Sequence, residues 1–170
     1  MIRRIAILLG LLVLLAKDSS ARQAPKDLFA CESDPDRVVS LVGLVSVNLG
    51  AEDVVSKVMP CLLTLWAGPA KNDGDELPGL ISSGFLTIME ENPPLFFSFM
   101  SKNPQVFTEW LKQLPENSFT WYRSPPCPLE ENRKRLISLL KREPVQAAKL
   151  QLLKEQVINR LDGIRCRQID

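Results

Sequence analysis

Hydrophobic residues recur along most of the chain at the three- and four-residue spacing of an amphipathic helix. The clearest set is Leu150, Leu153, Val157, Leu161 and Ile164. Steps of three and four residues place these side chains on one helix face. We therefore expect a helix that begins at Pro144 and ends near Gly163.

Capping residues divide the rest of the chain into further helices. Asp34 and Pro35 suit the start of the first one, and Gly50 suits its end. Its valines leave a strand as an alternative, but twelve residues between a cap and a glycine favour a helix. Further helices are expected over 52–66, 77–91, 93–101, 104–113 and 128–142. In the first helix Ser40, Gly43 and Ser46 form a narrow face of small residues, which we expect to pack closely against a neighbour.

Prolines modify this pattern at several points. Asn-Pro occurs at 92–93 and again at 103–104, which predicts two short consecutive helices, each with an Asn cap and Pro at the first position. Pro60 lies inside the second helix and is expected to kink it or split it. Three prolines between 114 and 127 predict an ordered loop there.

The fold class predicted from these elements is all-α. We expect about six to seven helices in one domain over residues 34–170, arranged as a compact bundle or as a short α-solenoid-like array. Residues 22–33 form a polar segment that precedes this domain.

The first residues have the layout of a secretory signal peptide. Arg3 and Arg4 precede an unbroken apolar run over 5–16, and small residues follow, with Ala21 as the best cleavage position. Twelve apolar residues span about 18 Å as a helix, short of the ~30 Å hydrocarbon core, although a retained anchor is the alternative. We expect residues 1–21 to be removed and the protein to be exported to the periplasm or the cell exterior without a stable membrane anchor.

The chain has four cysteines, and all of them follow the predicted leader: Cys31, Cys61, Cys127 and Cys166. An even number in an exported chain predicts two disulfides, and no CxxC spacing indicates a redox motif or a zinc site. Three connectivities are formally open. We favour Cys31–Cys61 with Cys127–Cys166, because each pair then brackets a helical hairpin.

Composition restricts the chemistry. The chain has no histidine, which excludes Ser-His-Asp and Cys-His nucleophile pairs and the usual His-containing metal sites.

The acidic stretch 72–76 lacks the order of an EF-hand loop and is interpreted as a solvated turn. Glu90 and Glu91 are adjacent, so they diverge on a helix, and we expect both to face solvent. Ser-Lys neighbours at 56–57 and 101–102 have no supporting pattern.

One loop stands out as a candidate partner surface. Its residues are Phe119, Trp121, Tyr122 and Arg123, which include types enriched at interaction hot spots. The alternative is a loop folded over the core, with Phe119 and Trp121 buried and Tyr122 and Arg123 outward.

Charge is distributed unevenly along the chain. Residues 127–170 carry a net charge of +4 and residues 22–126 a net charge of −5. The basic region is interpreted as ordinary solvated helix faces; the alternatives are that the two regions complement each other or that the basic face meets an anionic lipid or an acidic partner.

We therefore expect an exported domain that acts without catalysis, as an interaction or structural module with a protein partner. Neither a cofactor nor a metal is expected, and no recognition motif favours nucleic acid. A small-molecule or lipid carrier with an apolar cavity and a His-independent hydrolase are the alternatives.

Overall fold

The computed structural model describes residue 29 and residues 31–68, 76–121, 127–165 and 167–168. In this part of the chain there are seven helices: α1 Pro35–Val47, α2 Glu52–Ala67, α3 Glu76–Glu91, α4 Pro93–Lys102, α5 Pro104–Ser118, α6 Leu129–Arg142 and α7 Ala148–Gly163. Two-residue strands, β1 Thr120–Trp121 and β2 Arg167–Gln168, pair in parallel. The helical class and the number of helices agree with the prediction. The predicted leader and residues 72–75 of the acidic stretch lie outside the described residues, and Glu76 is the first residue of α3.

Helix α3 is the centre of the bundle, and it packs against α1, α2, α4, α5 and α6. Its buried face includes Ile81, Phe85 and Ile88, none of which has exposed surface. At Gly84 an added Cβ would lie 2.8 Å from the Val42 side chain on α1 and 2.9 Å from that of Leu62 on α2. The missing side chain at Gly84 therefore lets α1 and α2 approach α3 closely.

The small-residue face of α1 does not pack against a neighbour, so that prediction is wrong. Ser40, Gly43 and Ser46 are exposed, and no heavy atom lies within 4 Å of a Cβ added at Gly43. Helix α1 instead buries its apolar stripe, which consists of Val38, Leu41 and Val45. Burying branched apolar side chains removes more apolar area from water than burying serine and glycine would, which explains the orientation.

The turn between α1 and α2 is a Schellman motif. Gly50 N donates to Val45 O at 3.0 Å, and Leu49 N donates to Ser46 O at 3.3 Å. Both residues have positive φ, 50° at Leu49 and 67° at Gly50. A Cβ at Gly50 would lie 2.7 Å from the Cβ of Glu91, so glycine is required there by conformation and by space.

Aromatic rings fill the interior between α2 and α5. The Phe85 centroid lies 5.9 Å from those of Trp66 and Trp110 and 6.5 Å from that of Phe96. The Phe96 and Trp110 centroids are 5.5 Å apart, with an edge-to-face arrangement. These tilted and edge-to-face contacts stabilise the core beyond the burial of the ring surfaces.

The two Asn-Pro sequences start helices as expected, but only one asparagine caps with its side chain. Asn92 Oδ1 accepts from Leu95 N at 3.2 Å, and Asn92 Nδ2 donates to Gly50 O at 3.0 Å. Asn103 makes no such cap, because its amide donates backwards to Phe99 O at the end of α4. The repeated Asn-Pro sequence therefore does not give the same hydrogen bonds at its two positions.

Two prolines lie inside helices, although Pro60 was expected to kink or split its helix and Pro115 to lie in a loop. Helix α2 is continuous through Pro60, and α5 continues through Pro115 to Ser118, so the loop predicted from 114 begins five residues later. Pro115 has no N–H to donate to Leu111 O. Arg160 of α7 supplies that donor, with its Nε 3.0 Å from Leu111 O. A long-range hydrogen bond thus replaces the one that proline removes.

The last helix begins at Ala148 and not at Pro144 as predicted. Glu143 has the extended conformation (ψ 121°) that a residue before proline prefers, and Val145 packs on the core from an extended segment. The amphipathic stripe itself is confirmed, since Val157, Leu161 and Ile164 are buried.

Candidate functional site

The predicted partner loop begins directly after α5. Phe119 is only 3% exposed and belongs to the core. The next two residues form β1, in which Thr120 lies opposite Arg167 and Trp121 opposite Gln168. Tyr122 and Arg123 lie outside the described residues. The structure therefore brings Phe119 into the interior and joins the start of the loop to the C-terminal segment.

A cleft lies beside Phe119, between α3, the end of α5 and α6, and we call it the α3–α6 cleft. Its volume is about 190 Å³. The lining residues are Ser83, Leu86, Thr87 and Glu90 of α3, Ser118 and Phe119, and Leu129, Asn132, Arg135 and Leu136 of α6. The lining therefore combines leucine and phenylalanine side chains with hydroxyl, amide and charged groups.

An ion pair joins two of the helices that form the α3–α6 cleft. Both terminal nitrogens of Arg135 donate to the carboxylate of Glu90, and the Nη2–Oε2 distance is 3.1 Å. The Glu90 side chain is 30% exposed, so the expectation that it faces solvent holds only in part, whereas Glu91 is exposed as expected. Glu90 is held by the guanidinium because α6 packs against the last turns of α3.

A chain of hydrogen bonds runs from the aromatic core to the cleft. Trp110 Nε1 donates to Ser82 Oγ at 3.0 Å, and Ser82 Oγ lies 2.7 Å from Ser118 Oγ. Trp110 and Ser82 are fully buried, whereas Ser118 is half-buried and lines the cleft. This chain contains two hydroxyls and an indole and no carboxylate or amine, so it provides no base to activate a serine as a nucleophile.

A second concave surface lies between α6 and the end of α7, and we call it the basic groove. Its volume is about 460 Å³, and Arg133, Lys134, Lys141, Arg142 and Asp162 contribute its charges. Arg133 is 5% exposed and all three of its nitrogens donate hydrogen bonds: Nε and Nη2 to Glu130, and Nη1 to Leu161 O at 2.7 Å. The remaining bases of the groove are exposed.

Arg133 and Glu130 alter each other's titration. Hydrogen bonds from Arg133 hold the pKa of the Glu130 carboxyl below its ordinary value of 4.5. The same bonds raise the pKa of Arg133. All three nitrogens of the Arg133 guanidinium are therefore used in hydrogen bonds to Glu130 and to Leu161 O.

Several bases of the C-terminal region bind main-chain carbonyls. Arg133 donates to Leu161 O, Lys149 Nζ to Ser101 O at 2.8 Å, and Lys154 Nζ to Glu143 O at 2.9 Å. These carbonyls lie at or near the C-terminal ends of α7, α4 and α6, where acceptors lack intrahelical partners and where the helix dipole favours a cation. Arg160 binds Leu111 O and Lys112 O on α5. The interpretation of the basic region as solvated faces is therefore wrong for Arg133 and Lys154, which are buried, whereas Lys149 is exposed and Arg160 is half-buried.

The lysines of the Ser-Lys neighbours lie near aromatic rings, and Ser101 binds a main-chain carbonyl. Ser101 Oγ donates to Ser98 O at 2.9 Å, and Lys102 Nζ lies 5.9 Å from the centroid of the Phe99 ring. Lys57 Nζ lies 4.9 Å from the centroid of Phe29. In the described part of the chain, no three His, Cys, Asp or Glu side chains converge as metal ligands would.

One of the two predicted disulfides is present among the described residues. Cys31 is bonded to Cys61, with the Cα atoms 5.2 Å apart, which fixes the start of the described chain to the middle of α2. Cys127 is not free either, but Cys166 lies outside the described residues, so the second pairing stays a prediction. None of the helices in the described ranges has the length and apolar content needed to cross a membrane.

Sequence reasoning missed most residues of the α3–α6 cleft. The signal for Ser82 was present, because it shares a face with Phe85 and Met89 and is a polar residue on a stripe that is otherwise buried. Such a hydroxyl must find a partner inside the protein. Ser118 and Arg135 carried no comparable local signal, since their positions depend on how α5 and α6 pack.

Comparisons with known proteins add no identification. No protein-family model matches the sequence, and neither the curated proteins nor the solved structures contain a significant match to it.

Proposed function

We propose that this protein is an exported helical interaction module that acts without catalysis, and that the α3–α6 cleft is its binding surface. The observation that carries the proposal is the cleft itself. It combines an apolar lining with hydroxyl and amide groups, as ligand sites do, and it lies beside the predicted partner loop. Ser118, one of its two serines, is linked through Ser82 to Trp110 and not to a base, which favours binding over catalysis.

Export is supported by the signal-peptide layout of residues 1–21 and by the Cys31–Cys61 disulfide. We propose Cys127–Cys166 as the second bond. Thr120, which precedes Cys127, pairs with Arg167, which follows Cys166. This pairing joins the two segments that carry these cysteines, which favours the Cys127–Cys166 connectivity.

The carrier alternative receives less support from the geometry. Between α2 and α5 the described interior is occupied by contacting aromatic rings, with Phe85, Phe96 and Trp110 fully buried. A carrier for a lipid needs a larger apolar space than the α3–α6 cleft offers.

Site-specific photo-cross-linking tests the binding surface. A photoreactive amino acid at Asn132, an exposed position that lines the cleft, should give a discrete adduct when the mature protein meets the exported fraction of its own cells. The same residue at Ser56, which is exposed on α2, is the matched control and should give none. Replacing Trp121, Tyr122 and Arg123 by alanine should weaken the adduct at 132. Equal adducts at both positions, or an adduct that the alanine variant leaves unchanged, would contradict the proposed surface.

Export is tested separately on the full-length chain expressed in its own host. We expect the mature protein to begin at Arg22, with no thiol that titrates under denaturing conditions. Peptide mapping without reduction should recover the Cys31–Cys61 and Cys127–Cys166 pairs. An intact leader and four free thiols in the cytosol would refute export.

A further inference from the structure

The hydrogen-bond chain beneath the α3–α6 cleft has a defined direction. Trp110 Nε1 can only donate, so Ser82 Oγ accepts from it. Ser82 is fully buried, and its hydroxyl hydrogen needs an acceptor, which among the described residues is Ser118 Oγ at 2.7 Å. Ser82 therefore donates to Ser118, and the hydroxyl hydrogen of Ser118 is left for a partner in the cleft.

The hydroxyl of Thr87 can accept a hydrogen bond in the cleft but cannot donate one. Thr87 Oγ1 donates to Ser83 O at 3.0 Å, which uses its only hydroxyl hydrogen. Its oxygen keeps lone pairs that can accept. The cleft therefore offers a hydroxyl donor at Ser118 and a hydroxyl acceptor at Thr87, beside the hydroxyl of Ser83 and the amide of Asn132, which also line it.

The size of the cleft limits what it can hold. At about 190 Å³ it is smaller than pockets for drug-sized ligands, which start at roughly 300 Å³. An apolar cavity of about 150 Å³ holds a benzene molecule. A single six-membered ring with a small substituent therefore matches the space between Leu86, Phe119 and Leu136.

The charge of the cleft selects a neutral ligand. Its charged residues, Glu90 and Arg135, neutralise each other through two hydrogen bonds. A charged ligand group would meet an attraction and a repulsion of similar size from this pair, and it would lose its own hydration on entering the cleft. A neutral group avoids this cost of desolvation.

We propose that the α3–α6 cleft binds a neutral phenolic ring, whose oxygen accepts a hydrogen bond from Ser118 and whose hydroxyl donates to Thr87. This inference rests on the proposed role of the cleft as a binding surface and specifies its ligand chemistry. The ring can belong to a free phenol or to a tyrosine side chain, and the two sources share the chemistry that the cleft recognises.

Chemical-shift titration of the mature, disulfide-bonded protein tests the proposal with phenol, toluene and benzoate as probes. Phenol should bind in the millimolar range expected for so small a ligand and should shift the amides of the cleft. Toluene has the ring without the hydroxyl, and we expect it to bind about fivefold more weakly, the effect of losing neutral hydrogen bonds. Benzoate should bind no better than toluene. N-acetyl-tyrosine amide distinguishes the sources, since it binds if the cleft accepts a tyrosine side chain and fails if only a free phenol enters.

Two variants make the test specific. In Ser118→Ala and in Thr87→Val the preference for phenol over toluene should fall to near unity, while toluene binding stays unchanged. Ser56→Ala, on the exposed face of α2, should keep the preference. Circular dichroism establishes whether each variant is folded. If Ser118→Ala does not fold, Thr87→Val alone still tests the proposal.

Phenol shifts that lie outside the cleft, or a preference that survives both substitutions, would overturn the inference. Its failure is distinguishable from failure of the proposed function. A cross-link at Asn132 without phenol binding would leave the cleft as a binding surface for a ligand of other chemistry. Phenol binding without a cross-linked partner would support the ligand chemistry alone.

Discussion

Two parts of the molecule are stabilised by different interactions. Helix α4 carries one charged residue, Lys102, and packs Phe96 and Phe97 into the aromatic core. In α6 half of the residues are charged, yet Arg133 is buried there. The first part is held by apolar packing, and the α6–α7 part also by cationic side chains that bind backbone carbonyls. High charge along a helix therefore does not by itself indicate a solvent-facing or partner-binding surface.

The largest effect should follow from removing the central aromatic ring. Phe85→Ala deletes a fully buried ring that contacts Trp66, Phe96 and Trp110. We expect the free energy of unfolding to fall by about 3–5 kcal/mol in chemical denaturation. Val39→Ala, on the exposed face of α1, is the control and should change it by less than about 0.5 kcal/mol. Similar losses at both sites would refute the assignment of the core.

Substitution of arginine on α6 tests the second kind of stabilisation. Arg133→Met leaves Leu161 O and Glu130 without their donors, and we expect a loss of about 2–3 kcal/mol. Arg135→Met is the matched control, because it breaks an ion pair at an arginine that is 62% exposed and should cost only about 0–1 kcal/mol. Equal losses, measured by denaturant unfolding, would show that the buried carbonyl contact adds nothing.

A double-mutant cycle isolates the bond that spans the proline in α5. Arg160→Met removes the donor to Leu111 O, and we expect it to cost about 1–2 kcal/mol. Pro115→Ala restores a main-chain N–H that can bond the same oxygen. In that background the cost of Arg160→Met should fall by about 1 kcal/mol. Strict additivity of the two substitutions would contradict the compensation that we infer.

Pro115 also shows the limit of prediction from the sequence. Local sequence signals predicted the all-α class, the capped helix start at Asp34 and the amphipathic stripe of α7, because each of these depends on residues within a few turns of one another. The oxygen that Pro115 leaves without its helical donor is bound by Arg160, which lies 45 residues further along the chain, and no local pattern indicates that contact. Propensity describes what proline does to an isolated helix, whereas a tertiary donor changes the outcome.

The candidate site shows the same limit. Phe119 was selected by residue type and lies in the core, beside a cleft whose other polar residues come from three helices. Ser82 could be recognised as a polar residue on a buried face, but its partner Ser118 is 36 residues away. The prediction for the small-residue face of α1 failed for a related reason, since burial of Leu41 and Val45 decided which side of the helix faces the bundle.

The smallest effect concerns the pH dependence of the Glu130–Arg133 pair. The folded pKa of Glu130 is lowered from 4.5, so the unfolded chain binds more protons near that pH, and the pair stabilises the fold above it. This stabilisation should disappear as pH falls from about 4.5 through the lowered folded pKa. We expect Glu130→Gln to unfold more easily than the wild-type protein at pH 7 and the two to converge at acid pH, as measured by urea unfolding at each pH. Glu131→Gln, at an exposed neighbour, is the control. A difference between Glu130→Gln and wild type that persists unchanged into acid would mean that Glu130 stabilises the fold through contacts other than its charge interaction with Arg133.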